Sequence, residues 1–324
     1  MSKIAFDIGS TVTRVAVGGL VLFQQPTCLA LERNSGAVMA IGDNAYSLLG
    51  KTAKQLTIHF PISAGVVADT AALTKFLGQV IKKIQSELPV NLTSLLLGHQ
   101  AIVAYNPCST AAQQSRLRAV FQEIGLRTQF VLSSEAVVAR STKKNHSQSM
   151  CLVDIGGSTT ICSIVTNGSH VQSHTIPWEG IRLTEGIQRH LLREEQFAVG
   201  WHEAERLKRA LAAVFHSQTL AKYRDHKNVV RGQDILTHVG KTLVVSREQL
   251  AVVVEPQVAE FLAGVTEFFQ VLPREMVSSI LEGGVLLVGG GAQLPGLAEL
   301  LQEKLACKVT TAKDPDLVCV RGLQ

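Results

Sequence analysis

Two stretches of the chain, about half its length apart, carry the same order of apolar and polar positions. Lys3 to Val17 reads KIAFDIGSTVTRVAV, and Cys151 to Val165 reads CLVDIGGSTTICSIV. In each stretch an apolar run ends at an aspartate, and a turn of glycine and hydroxyl residues leads into a second apolar run. Because β-branched and apolar residues flank both turns, each copy is predicted to be a β-hairpin. The repeat therefore predicts two related halves.

Between the two hairpins, apolar residues recur every three or four positions, which is the spacing of a helix with one buried face. Asp69 or Thr70 is suited to cap the first of these helices, and a second, AAQQSRLRAVFQEIG, is expected to end at Gly125. The segments TSLLLG and TQFVL are predicted strands, and SSEAVVARS begins a further helix. The apolar positions of the first helix are Ala72, Leu73, Phe76, Leu77, Val80, Ile81 and Ile84.

The second half repeats this alternation of helix and strand. Helices are predicted at about 180–193, 202–214, 256–272 and 295–305, and strands at GVLLVG and CKVTTA. A hairpin followed by alternating helices and strands, present twice, predicts an α/β protein with two similar lobes. We place these lobes at residues 1–149 and 150–324.

Composition supports a compact protein inside the cell. Of the 324 residues, 46% are hydrophobic and 18% are charged, which predicts a folded chain. The net charge of +5 is scattered along the chain, so nucleic-acid binding is not expected, although a weakly basic surface suits anionic lipid. A strand pattern begins by Lys3, and no apolar run approaches the length of a membrane span, so we expect a cytoplasmic protein. Buried, reduced thiols are expected at Cys28, Cys108, Cys151, Cys162, Cys307 and Cys319.

The two repeated turns are candidate phosphate-binding loops. An aspartate at a strand end, followed by glycine and a hydroxyl residue, places backbone N–H groups where they can converge on an anion. Two such turns facing one another could hold the β- and γ-phosphates of a nucleotide, while Asp7 and Asp154 order a hydrated Mg²⁺. The alternative is a pair of ordinary hairpin turns, because aspartate is common in turns.

A third glycine cluster, GGVLLVGGGAQLPGLAELLQEKL, runs from Gly283 to Leu305. A strand, a flat glycine turn and a helix with Pro295 near its start would let a base and ribose lie against the backbone. The cluster lacks the G-x-G-x-x-G pattern with a following acid, so a Rossmann site is disfavoured. The chain also contains no Walker A sequence.

The order of two phosphate turns and the segment VGGGAQLPGL resembles the superfamily of actin, sugar kinases and heat-shock chaperones. The segments QQPTCLALE, AIGDNAYSLLGKT, GVVADTAALTKFLGQVI, HEAERLKRAL and VVRGQDIL resemble the rod-shape-determining bacterial actins, the MreB family. This resemblance extends from about Ile4 to Val320. It implies an actin-like ATPase fold, in which duplicated ribonuclease H-like domains surround a nucleotide cleft.

The resemblance also implies a set of contacts with ATP and Mg²⁺. Asp7 and Asp154 would hold the metal through water. The first phosphate loop would include Gly9, Ser10, Thr11 and Arg14, and the second Gly156, Gly157, Ser158 and Thr159. Adenosine would lie against Gly289, Gly290, Gly291 and Ala292, flanked by Glu205 and Lys208. These last two residues are one helical turn apart, a spacing that equally suits a solvated helix face.

Glu135 matches the family position that orients the water attacking the γ-phosphate, a role that makes it, with Asp7 and Asp154, a candidate catalytic residue. The family sequence EEP is SSEA here, and an acid in the first turn of a helix is also favoured by the helix dipole alone. The segment WEGIRLTE lacks both aspartates of the family pattern GGDxFD, and Arg14 replaces a usually apolar residue. These departures favour nucleotide binding over efficient hydrolysis.

The leading hypothesis is an MreB-like actin with weak ATPase activity that polymerises head to tail, the geometry of an open filament, in cell-shape control. The inner membrane surface and cell-wall morphogenesis proteins are further candidate partners. Family members often insert an amphipathic helix or an apolar loop, whereas SELPVNLTS is only weakly apolar here. The alternatives are a small-molecule kinase of the same superfamily and a hydrolysis-impaired ATP-binding scaffold.

Overall fold

The chain divides into two compact units. The computed structural model describes residues 3–51, 55–87, 100–141, 149–214 and 226–324. One unit consists of Met1–Gln148, Ser163–Ser173 and Ala312–Gln324, and the other of Ser149–Cys162 and His174–Thr311. Two segments of the second half of the sequence, a hairpin tip and the C-terminal residues, are thus assigned to the first unit.

The first unit is built on a five-stranded sheet with the strand order β10-β9-β1-β2-β3. Its strands are β1 (Ile4–Ile8), β2 (Val12–Val17), β3 (Leu20–Pro26), β9 (Gln100–Tyr105) and β10 (Arg127–Leu132). β1 and β2 form the antiparallel hairpin that the sequence predicts, whereas β1 is parallel to β9, and β9 to β10. The smaller strands are β4 (Leu29–Glu32), β5 (Val38–Ile41), β6 (Leu56–His59), β7 (Ile62–Ser63) and β8 (Val66–Val67).

Helices cover this sheet and supply its core. They are α1 (Gly42–Ser47), α2 (Thr70–Glu87), α3 (Ala111–Ile124), α4 (Ser133–Ser141) and, in the C-terminal segment, α10 (Val318–Gly322). The side chain of Asp69 accepts a hydrogen bond from the backbone N–H of Ala72 at 2.9 Å, so the predicted cap is confirmed. The predicted apolar face of α2 packs into the core of the unit, with Ile81 partly buried. Gly125 ends α3 in the left-handed conformation, with φ of 82°, as predicted. The predicted strand TSLLLG lies outside the described residues.

The second unit contains most of another five-stranded sheet, with the order β13-β12-β11-β17-β18. Its strands are β11 (Ser149–Ile155), β12 (Thr160–Thr166), β13 (Ser169–Ile176), β17 (Val285–Val288) and β18 (Val309–Thr311). A three-stranded sheet combines β14 (Phe197–Val199), β15 (Lys227–Asp234) and β16 (Gly240–Ser246). The helices are α5 (Gly180–Glu194), α6 (Trp201–Leu211), α7 (Arg247–Gln270), α8 (Arg274–Gly283) and α9 (Leu297–Leu305). The second hairpin, β11 and β12, therefore matches its prediction.

Two helix starts in this unit differ from the prediction. α7 begins at Arg247 and not near Pro256, because Ser246 and Gln249 form a capping box that starts the helix earlier. Pro256 stays inside α7. It has no N–H to donate to the carbonyl four residues earlier, and that carbonyl belongs to the exposed residue Val252. α9 begins at Leu297 instead of Pro295, because Gly296 adopts a left-handed conformation with φ of 84°. A short 3₁₀ helix, Gly290–Gln293, precedes it.

The C-terminal segment packs closely on the first unit. Gly322 of α10 lies so near the carbonyl of Ala136 in α4 that a Cβ atom on the glycine would overlap that oxygen. The side chain of Gln324 donates hydrogen bonds to the carbonyls of Lys3 and Ala16 and accepts one from the N–H of Gly19. The end of the chain is therefore part of the first unit's structure.

Replacing Gly322 with alanine is expected to destabilise the protein by about 1–3 kcal/mol, because the new methyl group must displace backbone. Gly78→Ala in the interior of α2 is the matched control, since a Cβ at that position would meet nothing within 4 Å. The control should stabilise the protein by about 0.5–1 kcal/mol through helix propensity. Urea unfolding of both variants measures the difference, and equal stability of the two would contradict the close contact.

Candidate functional site

The two repeated turns have the same backbone geometry. The N–H of Gly9 donates to the carbonyl of Val12 at 3.1 Å, and the N–H of Gly156 donates to the carbonyl of Thr159 at 2.8 Å. A Cβ on Gly9 would lie 2.9 Å from the Val12 oxygen, and one on Gly156 would lie 2.8 Å from the Thr159 oxygen. Each turn thus requires glycine for the same steric reason.

Neighbouring side chains fix the first turn in place. Thr27 donates through its hydroxyl to the carbonyl of Gly9 at 2.7 Å and through its N–H to the carbonyl of Thr11 at 3.0 Å. The hydroxyl of Ser10 accepts from the N–H of Gly65 at 3.1 Å, while Thr11 is exposed. The turn is therefore held from several sides, with its outermost residue in solvent.

Asp7 and Arg14 face each other across the first hairpin. They are direct partners in the β1–β2 register, and a guanidinium nitrogen of Arg14 lies 3.8 Å from a carboxylate oxygen of Asp7. Burial raises the pKa of Asp7, while the charge of Arg14 and a hydrogen bond with Cys319 oppose that rise. A second guanidinium nitrogen of Arg14 lies 3.6 Å from Asp316. The predicted phosphate contact Arg14 is thus paired with two carboxylates in this structure.

The second turn supports the start of α5. The N–H of Gly180 donates to the carbonyl of Gly156 at 3.2 Å, and that of Ile181 to the carbonyl of Gly157 at 2.9 Å. The hydroxyl oxygen of Ser158 is shielded from solvent and has no hydrogen-bond partner in the described part of the chain. A buried polar atom without a partner costs free energy, so this hydroxyl suits a bound polar ligand.

Lys208 and Glu205 lie beside the second turn on α6. The ammonium of Lys208 donates to the carbonyl of Gly180 at 2.9 Å and pairs with a carboxylate oxygen of Glu205 at 2.7 Å. Thr184 donates to the same oxygen of Glu205 at 2.6 Å, and Arg209 to the other at 3.1 Å. Both side chains of the pair are less than one-fifth exposed, so the alternative of a freely solvated helix face is wrong.

The pKa values of this pair reflect its burial. Burial acts to raise the pKa of Glu205, but Lys208, Thr184 and Arg209 together outweigh it and hold the pKa below 4.5. Burial also lowers the pKa of Lys208, against the opposing attraction of Glu205. The pair is consequently a network of charge-assisted hydrogen bonds at the edge of the second turn.

The glycine cluster after β17 lies directly against the end of β11. Gly289 has φ of 80°, and a Cβ there would lie 2.5 Å from the carbonyl oxygen of Ile155 and 2.6 Å from a carboxylate oxygen of Asp154. A Cβ on Gly291 would overlap the side chain of Ile155. Gly290 is exposed with open space above it, and Ala292 is buried. The cluster therefore places backbone without side chains beside Asp154, with open space over Gly290.

Glu135 lies in the first turn of α4 and is partly buried. One of its carboxylate oxygens accepts a hydrogen bond from the backbone N–H of His170 at 3.2 Å. The hydroxyl of Ser134 lies 3.2 Å from Nδ1 of the same histidine. Burial lowers the pKa of His170, and the carboxylate of Glu135 opposes this effect. Glu135 therefore anchors the start of β13, and its role with water stays a prediction.

The structure assembles the predicted residues within each unit. In the second unit it brings together the turn Asp154–Thr159, the shelf Gly289–Ala292 and the pair Glu205 and Lys208. In the first unit it joins Asp7 and Arg14 to the turn Gly9–Thr11. The sequence interpretation missed the partners that hold these groups: Gly65, Thr184, Gly180, Asp316 and Cys319. Of these, Gly180 and Thr184 lie in the segment WEGIRLTE and Gly65 begins the segment GVVADTAALTKFLGQVI, whereas no quoted segment contains Asp316 or Cys319.

The donor atoms fit a magnesium nucleotide. In the described residues no group of three or more His, Cys, Asp or Glu side chains is placed to hold a metal ion directly. Asp7 and Asp154 offer the hard oxygen donors that Mg²⁺ prefers, and Mg²⁺ usually keeps several of its waters. Each carboxylate is therefore suited by its chemistry to contact such an ion through water, and the metal role of both stays a prediction.

Solved structures show that the fold of this chain is actin-like. The structure of MreB5 of Spiroplasma citri bound to ADP matches with a TM-score of 0.89 at 21% sequence identity. The matched region covers 99% of this chain and 94% of the MreB5 chain. The structure of the MamK double helical filament matches with a TM-score of 0.77 at 20% sequence identity. The matched region covers 99% of this chain and 97% of the MamK chain. The model of the MreB/Mbl protein family matches residues 1–324, and the chain belongs to that family.

Curated relatives agree with this assignment. The cell shape-determining protein Mbl of Bacillus subtilis is 26% identical over 315 residues, which are 96% of this chain and 91% of the relative. The cell shape-determining protein MreB of Escherichia coli is 24% identical over 326 residues, with 98% and 91% covered. The predicted family and the predicted actin-like α/β fold are thus confirmed.

Replacing Glu205 with glutamine is expected to cost about 1–3 kcal/mol of stability at pH 7, because charge-assisted hydrogen bonds are lost. The folded pKa lies below the ordinary value of 4.5, so this stability is present above about pH 4.5 and is lost as the pH falls through the folded pKa. Denaturation curves from pH 7 to pH 3 should show the two proteins converging at the acid end.

Glu185→Gln in α5 is the matched control for this experiment. Its carboxylate is 48% exposed and pairs with Arg189 at 3.8 Å, so its loss should change stability by less than about 0.5 kcal/mol. A constant difference between Glu205→Gln and the parent protein at every pH would contradict the role assigned to the charge of Glu205.

Proposed function

We propose that this protein binds Mg-ATP and polymerises head to tail into cytoskeletal filaments that serve cell shape. The observation that carries the proposal is the repeated acidic glycine turn, with the glycines 289–291 packed against the strand that leads into its second copy. Its MreB5 relative has structures bound to ADP and AMPPNP, MamK forms a double helical filament, and Mbl and MreB are named for determining cell shape.

The phosphates are assigned to the two turns. Backbone N–H groups of Ser10 and Thr11 would bind from the first unit, in the turn that Gly9 closes, together with Arg14. Gly157, Ser158 and Thr159 would bind from the second, in the turn that Gly156 closes, and the Ser158 hydroxyl, which has no hydrogen-bond partner among the described residues, supports the assignment. Mg²⁺, when bound, neutralises phosphate charge, and Asp7 and Asp154 would orient its waters.

Adenosine is assigned to the shelf of Gly289, Gly290, Gly291 and Ala292. The open space over Gly290 and the steric need for glycine at positions 289 and 291 support a surface made of backbone. Glu205 and Lys208 would contact the ribose or base from one side. Because Lys208 also bonds the carbonyl of Gly180, it links this group to the second turn.

Polymerisation is assigned to contacts between copies of the chain. A head-to-tail contact joins different surfaces of successive copies and does not close, so it generates filaments. A nucleotide that takes ligands from both units favours the conformation in which both are engaged. Filament stability would then depend on which nucleotide is bound.

Weak ATP hydrolysis is assigned to Glu135, which would orient the attacking water. Its hydrogen bond to the N–H of His170 must weaken or be shared for the carboxylate to serve water as well. The same bond favours a second candidate function, a hydrolysis-impaired ATP-binding scaffold. The missing aspartates in the segment WEGIRLTE point in the same direction.

Membrane association and cell-wall partners are also part of the proposal. None of the described helices combines the length and the apolar character needed to cross a bilayer. A peripheral contact with the inner face of the membrane would fit the net charge of +5, and the segment SELPVNLTS lies mostly outside the described residues. Flotation with anionic vesicles tests this contact, and failure to float would argue against it.

Sedimentation and electron microscopy with Mg-ATP, with Mg-ADP and without nucleotide test the main proposal. We expect pelleted filaments with Mg-ATP and reduced pelleting without nucleotide.

Gly156→Ala should lower ATP affinity at least about tenfold, since its methyl group displaces the carbonyl that closes the turn. Gly200→Ala is the control, because among the described residues a methyl group there would meet no atom within 4 Å. Absence of both ATP binding and filaments in the parent protein would refute the proposal.

Glu135→Gln separates the two candidate functions. If the carboxylate orients water, turnover of ATP should fall by about 100-fold or more, while ATP affinity and filament formation persist. The glutamine retains an oxygen that can accept from the N–H of His170, so the start of β13 should stay in place. Unchanged turnover in steady-state phosphate release would favour the scaffold over the ATPase.

A further inference from the structure

A row of polar side chains crosses three strands behind the first turn. Asp7 of β1 is the register partner of Arg14 in β2, and Arg14 is the register partner of Gln24 in β3. Directly paired residues point to the same face of a sheet, so these three side chains share one face. Their neighbours Phe6 and Val15 point to the other face and are fully buried in the core.

The C-terminal segment lies over this row. Asp316 accepts a hydrogen bond from the side-chain amide of Gln24 at 2.9 Å and lies 3.6 Å from the guanidinium of Arg14. Cys319, three residues further on, forms a hydrogen bond with the side chain of Asp7. The segment thus contacts each member of the row.

Arg14 is consequently shared between two carboxylates at almost equal distances, 3.8 Å to Asp7 and 3.6 Å to Asp316. Its side chain is only 14% exposed, so the charge cannot move into water without rearrangement. A mostly buried charge is costly to leave uncompensated, so a cation that loses one carboxylate partner depends on the one that remains. Without the charge of Asp316, Arg14 would therefore close on Asp7.

We propose that Asp316 is a positioning residue for nucleotide binding, which holds Arg14 away from Asp7 so that the Asp7 carboxylate stays available to Mg²⁺. This inference rests on the proposed function, in which the first turn binds Mg-ATP. It assigns to the C-terminal segment a part in the site that no motif of the sequence indicates.

The test compares ATP affinity with excess Mg²⁺ and with excess EDTA, by fluorescence of a labelled ATP analogue. In Asp316→Asn, Arg14 masks Asp7, so affinity with Mg²⁺ should fall about five- to tenfold. Affinity in EDTA should stay the same or rise, because one negative charge near the polyphosphate has been removed. General damage to the site would weaken both affinities together.

Three further variants isolate the cause. Asp314→Asn is the matched control, because Asp314 is two residues away on the same segment and pairs with Arg321 at 2.5 Å, outside the row. Asp316→Glu retains the charge and should retain the response to Mg²⁺. In an Arg14→Gln background, Asp316→Asn should have no further effect on the response to Mg²⁺.

Gln24→Leu provides a second route if Asp316→Asn does not fold. It removes the hydrogen bond that orients Asp316 without changing any charge, and it should lower affinity with Mg²⁺ by about twofold, with no loss in EDTA. Equal loss in Mg²⁺ and EDTA, no change in either, or an equal effect of Asp314→Asn would overturn the role of Asp316. Failure of the parent protein to bind ATP in both conditions would instead refute the proposed function.

Discussion

One backbone hydrogen bond, from a glycine N–H to the carbonyl three residues later, determines the form of both acidic turns. The bond brings that carbonyl within 3 Å of the place where a Cβ would stand, at Gly9 and again at Gly156. Any other residue would push the two strand ends apart. The aspartates that precede these glycines keep their positions because the turn closes. Everything assigned to the phosphates depends on this closure.

In the second unit, backbone contacts connect the closed turn to the elements around it. The carbonyls of Gly156 and Gly157 accept the first N–H groups of α5, so the helix begins on the turn. The carbonyl of Gly180, at the start of that helix, in turn holds Lys208. On the other side, Gly289 can approach Asp154 and Ile155 because it has no side chain. The turn, the helix start and the shelf are therefore positioned by backbone atoms.

The sequence predicts those parts of the structure that depend on neighbouring residues. The two hairpins can be predicted because apolar runs flank a glycine turn. The helices α2 and α3 can be predicted because apolar residues recur every three or four positions and a capping residue marks one end or both. The predicted start of α7 is wrong even though its capping box, Ser246 and Gln249, is legible in the sequence. A proline usually indicates the first turn of a helix, whereas Pro256 lies on the exposed side of a longer one.

The partners of the candidate site residues could not be predicted from the sequence, because they come from segments far away along the chain. Asp316 meets Arg14 and Gln24 across about 300 residues of chain, and no local pattern marks it. Thr184 and Glu205 lie on different helices, and their hydrogen bond depends on how those helices pack. Glu135 could be located by resemblance, but its hydrogen bond to the N–H of His170 could not. Single chemical groups were thus predictable, and their partners were not.

Charge pairing at the site bears on how a polyphosphate would be held. Arg14 and Lys208 are the two cations that the resemblance assigns to the nucleotide, and each is already paired with a carboxylate. Neither offers an uncompensated positive charge to the phosphates. Attraction for ATP would then come mainly from the N–H groups of the turns and from Mg²⁺ itself, whose charge a carboxylate such as that of Asp7 attracts. A site of this kind should favour the magnesium complex over the free nucleotide, because a polyphosphate beside a carboxylate is repelled unless a cation neutralises the charge.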